Sequence, residues 1–408
     1  MIVRRSAAVL AAIAVIGAAA APAAVAGSPS PSAPPSLPSG LYGTTDPTYD
    51  GVWRQSFALF AQHTVGVRPA VEAVDWLAGQ QCADGAFAPY RANPTAKCDA
   101  KTPVDTNSTA AAVQALAALG GHAQAEKAVA WLKSVQNADG GWSYTPGGAS
   151  DANSTSVVVG ALAAVGEKPG EVRSKGGKSP FEALLKLSIP CDQDGGGAFA
   201  YQPDKKGGLA ANADATAAAV VGALGQGLAG RAAKPSGTAA SCQTAESPEQ
   251  AARNGAAFLV KALAKDDHLT SALPGAKPGP DYGNTADAVV ALATQGSTES
   301  ARKTYAWLEK NSAQWAKTSG PAAYAQLILA AHALGADPHD FGGADLVTEL
   351  GATGPAPQAA QATGHSDETG RKTDSSSSTG FWWVIGVGLV AGVGIGFLLS
   401  GRSKKRQP

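Results

Sequence analysis

Two adjacent stretches of this 408-residue chain decide its fold. Residues 128–146 have the sequence AVAWLKSVQNADGGWSYTP, and residues 151–166 have the sequence DANSTSVVVGALAAVG. The first combines Trp, Leu and Lys with a polar side and ends in an Asp-Gly-Gly turn, which predicts an amphipathic helix and a loop. The second begins with Asp, Asn, Ser and Thr, which accept hydrogen bonds from free N–H groups, and it stops at Gly. It therefore predicts a capped helix of small apolar residues.

Both stretches recur along the chain, and such self-similarity is typical of repeat architectures. Copies of the first stretch occupy residues 73–90, 181–201 and, in truncated form, 304–315. Copies of the second stretch occupy residues 105–120, 212–227 and 281–296. Further helices are predicted over residues 50–65, after Pro248, over residues 320–334 and in a short piece around residue 344. The chain is thus expected to form about twelve helices in six hairpins.

The two kinds of helix suit different positions in a layered fold. The Ala-rich helices are apolar almost all round, as a helix buried on most faces should be, so we place them in an inner ring. The helices with Trp, Leu and Lys have a clearer polar side and suit an outer ring. Short connections make each hairpin antiparallel, so every inner helix begins at the same end. The sequence predicts an all-α fold, an (α/α)6-type toroid of about six helical hairpins over residues 41–350.

The repeat also carries a resemblance to a known superfamily. Residues 127–142, KAVAWLKSVQNADGGW, resemble the QW repeat of squalene-hopene and oxidosqualene cyclases. The layout of residues 41–350 is similar to the α/α toroids of the terpenoid cyclases and protein prenyltransferases. A Gln at a helix end can satisfy free backbone groups while an aromatic ring packs over it, so we interpret the repeat residues as structural. They are Trp76, Gln81, Trp131, Gln136 and Trp142.

The catalytic motifs of those enzymes are missing from the chain. No DxDD motif is present to protonate an isoprenoid, and no DDxxD motif is present to bind a diphosphate. The prenyltransferase zinc site needs Asp, Cys and His, but the four cysteines are better explained as two disulfides, Cys82–Cys98 and Cys191–Cys242. No Cys pair has CxxC spacing and no His lies beside a Cys, so we expect no metal. We therefore favour a protein without catalytic activity and keep an enzyme as an alternative.

Both ends of the chain carry signals of export and membrane attachment. Residues 1–26 have two arginines, an apolar run and a small-residue cleavage pattern, which together predict a signal peptide. Residues 381–400 are uncharged and long enough to span a bilayer, and a basic tail at residues 401–408 is expected to stay in the cytoplasm. Residues 27–40 and 351–380 are predicted linkers. Sortase attachment is the alternative, although residues 376–380 read SSSTG where LPxTG would be expected.

Composition narrows the class of ligand. The chain has 32 basic and 32 acidic residues and therefore no net charge, which argues against a nucleic-acid partner. The first turns of the inner helices hold two or three polar residues each, although one residue is enough to cap a helix. We predict that the surplus forms a polar bowl for a neutral or anionic ligand at the helix N-termini. The candidate ligand-binding residues are Asp105, Asn107, Asp151, Asn153, Asp214, Asp281, Asn284, Tyr90, Tyr144, Tyr201 and Tyr282.

The same layout is similar to that of the cobalamin carriers of animals, which hold a corrinoid at the ring mouth without catalysis. Together with the signals of export and membrane attachment and the missing catalytic motifs, this resemblance implies a membrane-anchored extracellular protein that binds a small polar ligand, with cobalamin or another corrinoid as the leading candidate. A membrane transporter is a candidate partner, and we expect no cofactor. The chain lacks the small β-domain that covers the ligand in those carriers. The alternatives are an extracellular toroid enzyme acting on an isoprenoid or a glycan, and a structural surface protein.

Overall fold

Thirteen α-helices make up about half of the residues that the computed structural model describes, which are 37–235, 241–271 and 279–359. The inner helices are α1 (Gly51–Thr64), α3 (Thr106–Ala118), α5 (Ala152–Ala164), α7 (Ala213–Ala223), α9 (Tyr282–Gln295) and α12 (Pro321–Leu334). The others are α2 (Val71–Gly79), α4 (His122–Ser134), α6 (Pro180–Leu187), α8 (Pro248–Leu263), α10 (Thr298–Asn311), α11 (Ala313–Ser319) and α13 (Leu346–Gly351). Two-residue strands, β1 (Phe199–Ala200) and β2 (Ala211–Asn212), pair antiparallel before α7. The all-α class is confirmed.

The inner helices contact one another in a closed circuit. Helix α1 packs on α3, α3 on α5, α5 on α7, α7 on α9, α9 on α12, and α12 returns to α1. Small residues bring neighbouring helices close, since a Cβ on Gly222 of α7 would lie 2.5 Å from Ser156 Oγ of α5. Close packing of this kind fills the interior to the density that stable cores show. This circuit of six inner helices is the arrangement that the toroid prediction requires.

Neighbouring inner helices run in the same direction. The second residues of α5 and α7, Asn153 and Asp214, are joined by a hydrogen bond, and the sixth residue of α12, Gln326, donates to Asp287, the sixth of α9. The backbone N–H of Val52 in the first turn of α1 donates to the carbonyl of Pro89, in the loop that leads to α3. These bonds place the helix N-termini at one end of the ring, which we call the mouth.

The connection between α7 and α8 closes the opposite end of the ring. Residues 226–231, which we call the plug, include Leu228 and Ala229, whose side chains are fully buried. The Leu228 N–H donates to Gln114 Oε1 of α3 at 3.0 Å, and a Cβ on Gly160 of α5 would lie 2.7 Å from the Cα of Gly227. Gly230 lies against Val290 and Thr294 of α9. The plug therefore packs against the C-terminal halves of α3, α5 and α9.

The repeat loops fasten each outer helix to the next. Gln81 Nε2 donates to the carbonyls of Gly85 and of Gln124 in the following helix, and Gln136 Nε2 donates to the Gly140 carbonyl at 2.7 Å. The buried Trp142 indole donates back to the Leu132 carbonyl at 2.7 Å. Trp131 is buried in the core, whereas Trp76 stacks on Tyr90. All five repeat residues thus have packing or hydrogen-bonding contacts within the repeats.

Both cysteine pairings are confirmed, as Cys82–Cys98 and Cys191–Cys242. In the part of the chain that the structure describes, no helix is long and apolar enough to cross a bilayer. The predicted signal peptide at 1–26, the predicted span at 381–400 and the basic tail at 401–408 lie outside the described residues, as do 27–36 and 360–380 of the two linkers. The number of helices exceeds the predicted twelve because residues 313–319 form α11, separate from α10.

Candidate functional site

The N-cap residues explain part of the polar surplus at the mouth. Asp105 and Asp151 each accept a hydrogen bond at 2.7 Å from the backbone N–H three residues on, and Asp281 does so from Asn284 at 3.2 Å. In α7 this cap is Asn212, which accepts from Ala215. Asp105, Asp151 and Asp281 therefore cap their helices, whereas Asp214 does not cap α7.

A threonine one turn into each of four inner helices anchors the repeat loop before it. Its hydroxyl accepts the backbone N–H of a loop residue at 2.9–3.0 Å, which ties the loop to the mouth. The four pairs are Thr109 with Phe87, Thr155 with Trp142, Thr216 with Phe199, and Thr285 with Leu269. These threonines are occupied by the fold.

Two of the four predicted tyrosines lie beside the mouth carboxyl groups. The Tyr144 carbonyl accepts the N–H of Thr106, and the Tyr201 carbonyl accepts the N–H of Ala152, so each tyrosine completes the first turn of the preceding inner helix. Burial and the charge of Asp105 raise the pKa of Tyr144. Burial, together with the charges of Asp151 and Asp214, raises the pKa of Tyr201.

The other two tyrosines belong to aromatic stacks that join the inner helices to the outer layer. Tyr90 stacks on Trp76 of α2. Tyr282 stacks on Trp307 of α10 at 5.5 Å and on Trp315 of α11 at 5.6 Å between ring centroids, and His268 stacks on the same Trp307. The predicted rim of four tyrosines is therefore split between the mouth and these stacks.

Buried oxygen atoms without a hydrogen-bond partner are concentrated at the mouth. Buried polar groups are normally paired, so such atoms mark a place where a partner is missing. At the first turns of α3, α5, α7 and α9 the unpaired carboxyl and amide oxygens are Asp105 Oδ2, Asn107 Oδ1, Asn153 Oδ1, Asp214 Oδ1 and Asn284 Oδ1. Every one belongs to a residue that the sequence predicted as a ligand contact. The mouth therefore has unused capacity to accept hydrogen bonds.

The mouth carboxyl groups are also perturbed in their acidity. Burial raises the pKa of Asp105 to about 7 and that of Asp151 to about 6. Burial likewise raises the pKa of Asp214 to about 7, although the hydrogen bond from Asn153 opposes this shift. Perturbed carboxyl groups in a cleft are typical of functional sites. At neutral pH these groups are partly protonated and can take up or release protons when a ligand binds.

Two further residues at the mouth were not predicted from the sequence. Asp287 of α9 is 8% exposed, and burial together with the charge of Asp214 raises its pKa well above 3.8. Gln326 of α12 donates to its carboxyl group at 3.2 Å. Both are polar residues in the second turn of a largely apolar inner helix, a pattern that does not by itself show that they meet.

Other kinds of site receive less support. Within the described ranges, no three His, Cys, Asp or Glu side chains are close enough together to hold a metal ion. A surface cavity of about 480 Å³ lies near the C-terminal ends of α4 and α5, with Lys133, Lys168 and Arg173 beside Glu167 and Glu171. It is remote from the mouth, and Lys133 and Lys168 are paired with Glu167 and Glu171, respectively.

Comparisons with known proteins give similarities of fold at low sequence identity. No family model matches the chain, and neither does any curated protein. Solved structures with similarity include ent-copalyl diphosphate synthase from Streptomyces platensis, with 17% identity, a TM-score of 0.46, and coverage of 70% of this chain and 50% of that one. A protein from Actinoplanes matches at 15% identity and a TM-score of 0.48, over 73% of this chain and 94% of that one.

A sugar epimerase from a ruminal bacterium matches at 15% identity and a TM-score of 0.43, over 67% of this chain and 80% of that one. The present chain spans half the length of the copalyl diphosphate synthase. All three TM-scores lie below 0.5. The chemistry of the mouth has to be argued from the residues of this chain.

Proposed function

We propose that this chain is an exported, membrane-anchored protein that binds a small polar ligand at the mouth of an (α/α)6 toroid. The observation that carries this proposal is the set of unpaired, buried oxygen atoms on four neighbouring inner helices. A ligand with hydrogen-bond donors would satisfy them, and leaving them unsatisfied costs free energy, about 1–3 kcal/mol for each group. The proposed toroid is a non-catalytic relative of the terpenoid cyclases and prenyltransferases.

The polarity of the mouth favours binding over isoprenoid chemistry. An isoprenoid cyclase needs an apolar cavity around one acidic group, whereas here the first turns present several carboxyl and amide groups together. At the other end of the ring the plug packs against α3, α5 and α9. A polar basin with one opening suits reversible capture of a small molecule.

The proposed location outside the cell rests on the two disulfides and on the two ends of the chain. Disulfides form and persist mainly in oxidising compartments, and both are closed here. We propose a signal peptide at 1–26, a linker at 27–40, the toroid at 41–350, a second linker at 351–380, a membrane span at 381–400 and a cytoplasmic tail at 401–408. This arrangement would hold the toroid at the outer face of the membrane, beside a transporter that receives the ligand.

The identity of the ligand is constrained by the acceptors. The sequence pattern suggested a neutral or anionic ligand, but the carboxyl groups at the mouth disfavour an anion because like charges repel. Cobalamin, whose side-chain amides carry N–H donors, is the named ligand that we propose to test first. We propose that a partner supplies a lid over the bound corrinoid.

The direct test is titration of the full-length chain with cobalamin, followed by calorimetry and by the visible absorption spectrum. We expect saturable heat and a spectral shift. The affinity for cobalamin should fall at least tenfold in Asn107→Ala and stay unchanged in Asp75→Asn, which alters an exposed carboxyl group of α2. Absence of heat and of any spectral change at about 100 µM cobalamin would remove the corrinoid, because such a ligand would bind too weakly to be captured. Screening neutral polar ligands by the same calorimetry would then test the binding function itself.

A second candidate function is supported by Asp287. Burial and the charge of Asp214 raise its pKa well above 3.8, which favours the protonated form, and a protonated carboxyl group can act as a general acid. In an enzyme of the isoprenoid or glycan class, Asp287 would donate a proton to a bound substrate. Product analysis after incubation with a polyprenyl diphosphate or an oligosaccharide tests this, and turnover that survives in Asp287→Asn would rule out this acid.

A further inference from the structure

The Asn153 amide donates one N–H to a carboxyl group, and its oxygen atom has no hydrogen-bond partner. Asn153 is 1% exposed, and its Nδ2 donates to Asp214 Oδ2 at 2.8 Å. Asn153 Oδ1 and Asp214 Oδ1 are both buried and have no partner. The hydrogen bond fixes the two side chains side by side, so the two free acceptors lie in the same part of the mouth.

The same arrangement occurs on the neighbouring inner helix. Asn284 Nδ2 donates to Asp281 Oδ2 at 2.9 Å, and Asn284 Oδ1 is buried and unpaired. The charge of Asp281 acts on Asp214, which places the α7 and α9 groups within electrostatic reach of each other. Two Asn–Asp pairs on different helices thus each use an amide N–H on a carboxyl group, and the atoms left without a partner are oxygen acceptors.

The charges around Asp214 all have the same sign. Asp151 of the α5 cap and Asp281 of the α9 cap interact with it electrostatically, and Tyr201 interacts with both Asp151 and Asp214. In the ranges that the structure describes, no ion pair joins these carboxyl groups to a Lys, Arg or His. A positive charge placed between them would relieve their mutual repulsion.

Few chemical groups both donate hydrogen bonds to the unpaired oxygen atoms and bring a positive charge to the carboxyl groups. A hydroxyl group brings one donor together with acceptors of its own, and an amide brings two donors without charge. An ammonium group brings three donors, one positive charge and no acceptor. A divalent metal ion is less suitable, because the described residues contain no cluster of three acidic or metal-binding side chains.

We propose that the mouth binds a protonated organic amine, with its ammonium group held by the Asp214 carboxyl group and the Asn153 and Asn284 amide oxygens. This inference rests on the proposed binding function and narrows its ligand class. It ranks amine-bearing ligands above neutral ligands whose donors are amide N–H groups. The rest of the ligand extends toward the opening.

The test compares three small probes on the full-length chain by saturation-transfer NMR, which detects weak binding. Butylammonium has charge and donors, butyramide has donors without charge, and tetramethylammonium has charge without N–H donors. At pH 8 we expect butylammonium to bind at least tenfold more tightly than either of the others. Its affinity should fall as the pH is lowered from 8 to 5, because Asp214, whose pKa is about 7, becomes protonated.

Variants locate the binding site. Asp214→Asn, which keeps the acceptor for Asn153 but removes the charge, should weaken butylammonium at least tenfold, and Asn284→Ala should weaken it severalfold. Asp75→Asn on outer helix α2 is the matched control and should leave the affinity unchanged. Thermal melts of each variant separate a lost site from a lost fold, and Asn284→Ala still tests the site if Asp214→Asn does not fold.

Several outcomes would overturn the inference. Equal binding of butyramide would show a neutral donor site, which leaves the proposed binding function and cobalamin standing. Displacement of butylammonium by micromolar CaCl₂ would identify an inorganic cation as the preferred occupant. Butylammonium binding that survives in both Asp214→Asn and Asn284→Ala would place the amine elsewhere. If no polar probe binds at the mouth, the proposed function fails together with this inference.

Discussion

Asn153 donates its Nδ2–H to Asp214 Oδ2 at 2.8 Å, and these are the second residues of α5 and α7. If the two helices ran in opposite directions, the residues would lie at opposite ends of α7, which is roughly 16 Å long at 1.5 Å per residue. The bond therefore records the parallel direction of the inner helices. It also opposes the rise in the pKa of Asp214 that burial causes.

Asn153→Ala should raise the pKa of Asp214 above its value of about 7. The hydrogen bond from Asn153 favours the charged form, and its removal leaves burial and like charges to favour the neutral form. The carboxyl ¹³C resonance of Asp214, followed from pH 4 to pH 9 in both chains, measures the change. A titration midpoint that stays in place would mean that Asn153 does not contact Asp214 in solution.

Asp105→Asn should stabilise the protein at pH 8 and have little effect at pH 4. Burial raises the folded-state pKa of Asp105 from 3.8 to about 7, so the folded state binds its proton more tightly than the unfolded state. The stability of the wild-type chain therefore falls as the pH rises from about 4 to about 7. Asn can still cap α3, so the gain at pH 8 is about 1–3 kcal/mol.

Urea unfolding at pH 4, 6 and 8 measures this difference. Asp75→Asn, which changes an exposed carboxyl group on α2, is the control and should leave the pH profile as it is in the wild type. A stability difference for Asp105→Asn that does not vary with pH would contradict the raised pKa.

Gly140→Ala should destabilise the chain by more than about 2 kcal/mol. Gly140 has φ of +95°, where an L-residue is strained by about 1–2 kcal/mol, and a Cβ there would overlap the carbonyl oxygen of Ser179 before α6. Gly147 has φ of +85° with open space around it, so Gly147→Ala pays for the backbone strain alone. Thermal unfolding of both variants separates the overlap from the strain, and equal losses would show that the loop does not pack on Ser179.

Thr155→Val should cost about 1–3 kcal/mol because it leaves the buried N–H of Trp142 without an acceptor. Thr155→Ser keeps the hydroxyl group and loses one methyl group, so its cost should stay near 1 kcal/mol. Chemical denaturation gives both values. If the serine variant were as unstable as the valine variant, the methyl group rather than the loop anchor would account for the loss.

The two disulfides should contribute unequally. The Cys191–Cys242 bond closes a separation of 51 residues, and the Cys82–Cys98 bond closes one of 16. In the chain-entropy account, the longer loop is stabilised by about 1 kcal/mol more, within a range of about 2–5 kcal/mol for each bond. Paired Cys→Ser variants, compared by denaturant unfolding, give the two losses, and a larger loss for the shorter loop would contradict this account.

The sequence predicts the helices and the disulfides well because both leave local signals. Caps, small-residue runs and glycine stops mark α3, α5, α7 and α9. The two cysteines of each pair bracket one stretch of the sequence, residues 82–98 and residues 191–242. Which side chains meet at the mouth depends on how the inner helices pack on one another, and a local sequence pattern does not predict that packing. Asp287 and Gln326 meet only because α12 returns to pack on α9, so they were not predicted to form part of the mouth.

The residue that caps α7 could not be predicted from the local sequence either. The segment at residues 212–216 offers both Asn212 and Asp214 as caps, and composition does not choose between them. The pairing of β1 with β2 holds Asn212 extended immediately before α7, so Asn212 takes the cap and Asp214 is released to the mouth. The choice depends on Phe199, the strand partner of Asn212, which lies 13 residues earlier in the chain.

The buried residues Leu228 and Ala229 of the plug lie at the end of the inner helices opposite the mouth. Under the proposed binding function, a ligand at the mouth would leave by the end at which it entered. Delivery to another molecule would then require the recipient to come to the open rim, and the rate of handover would be governed by escape from that single exit.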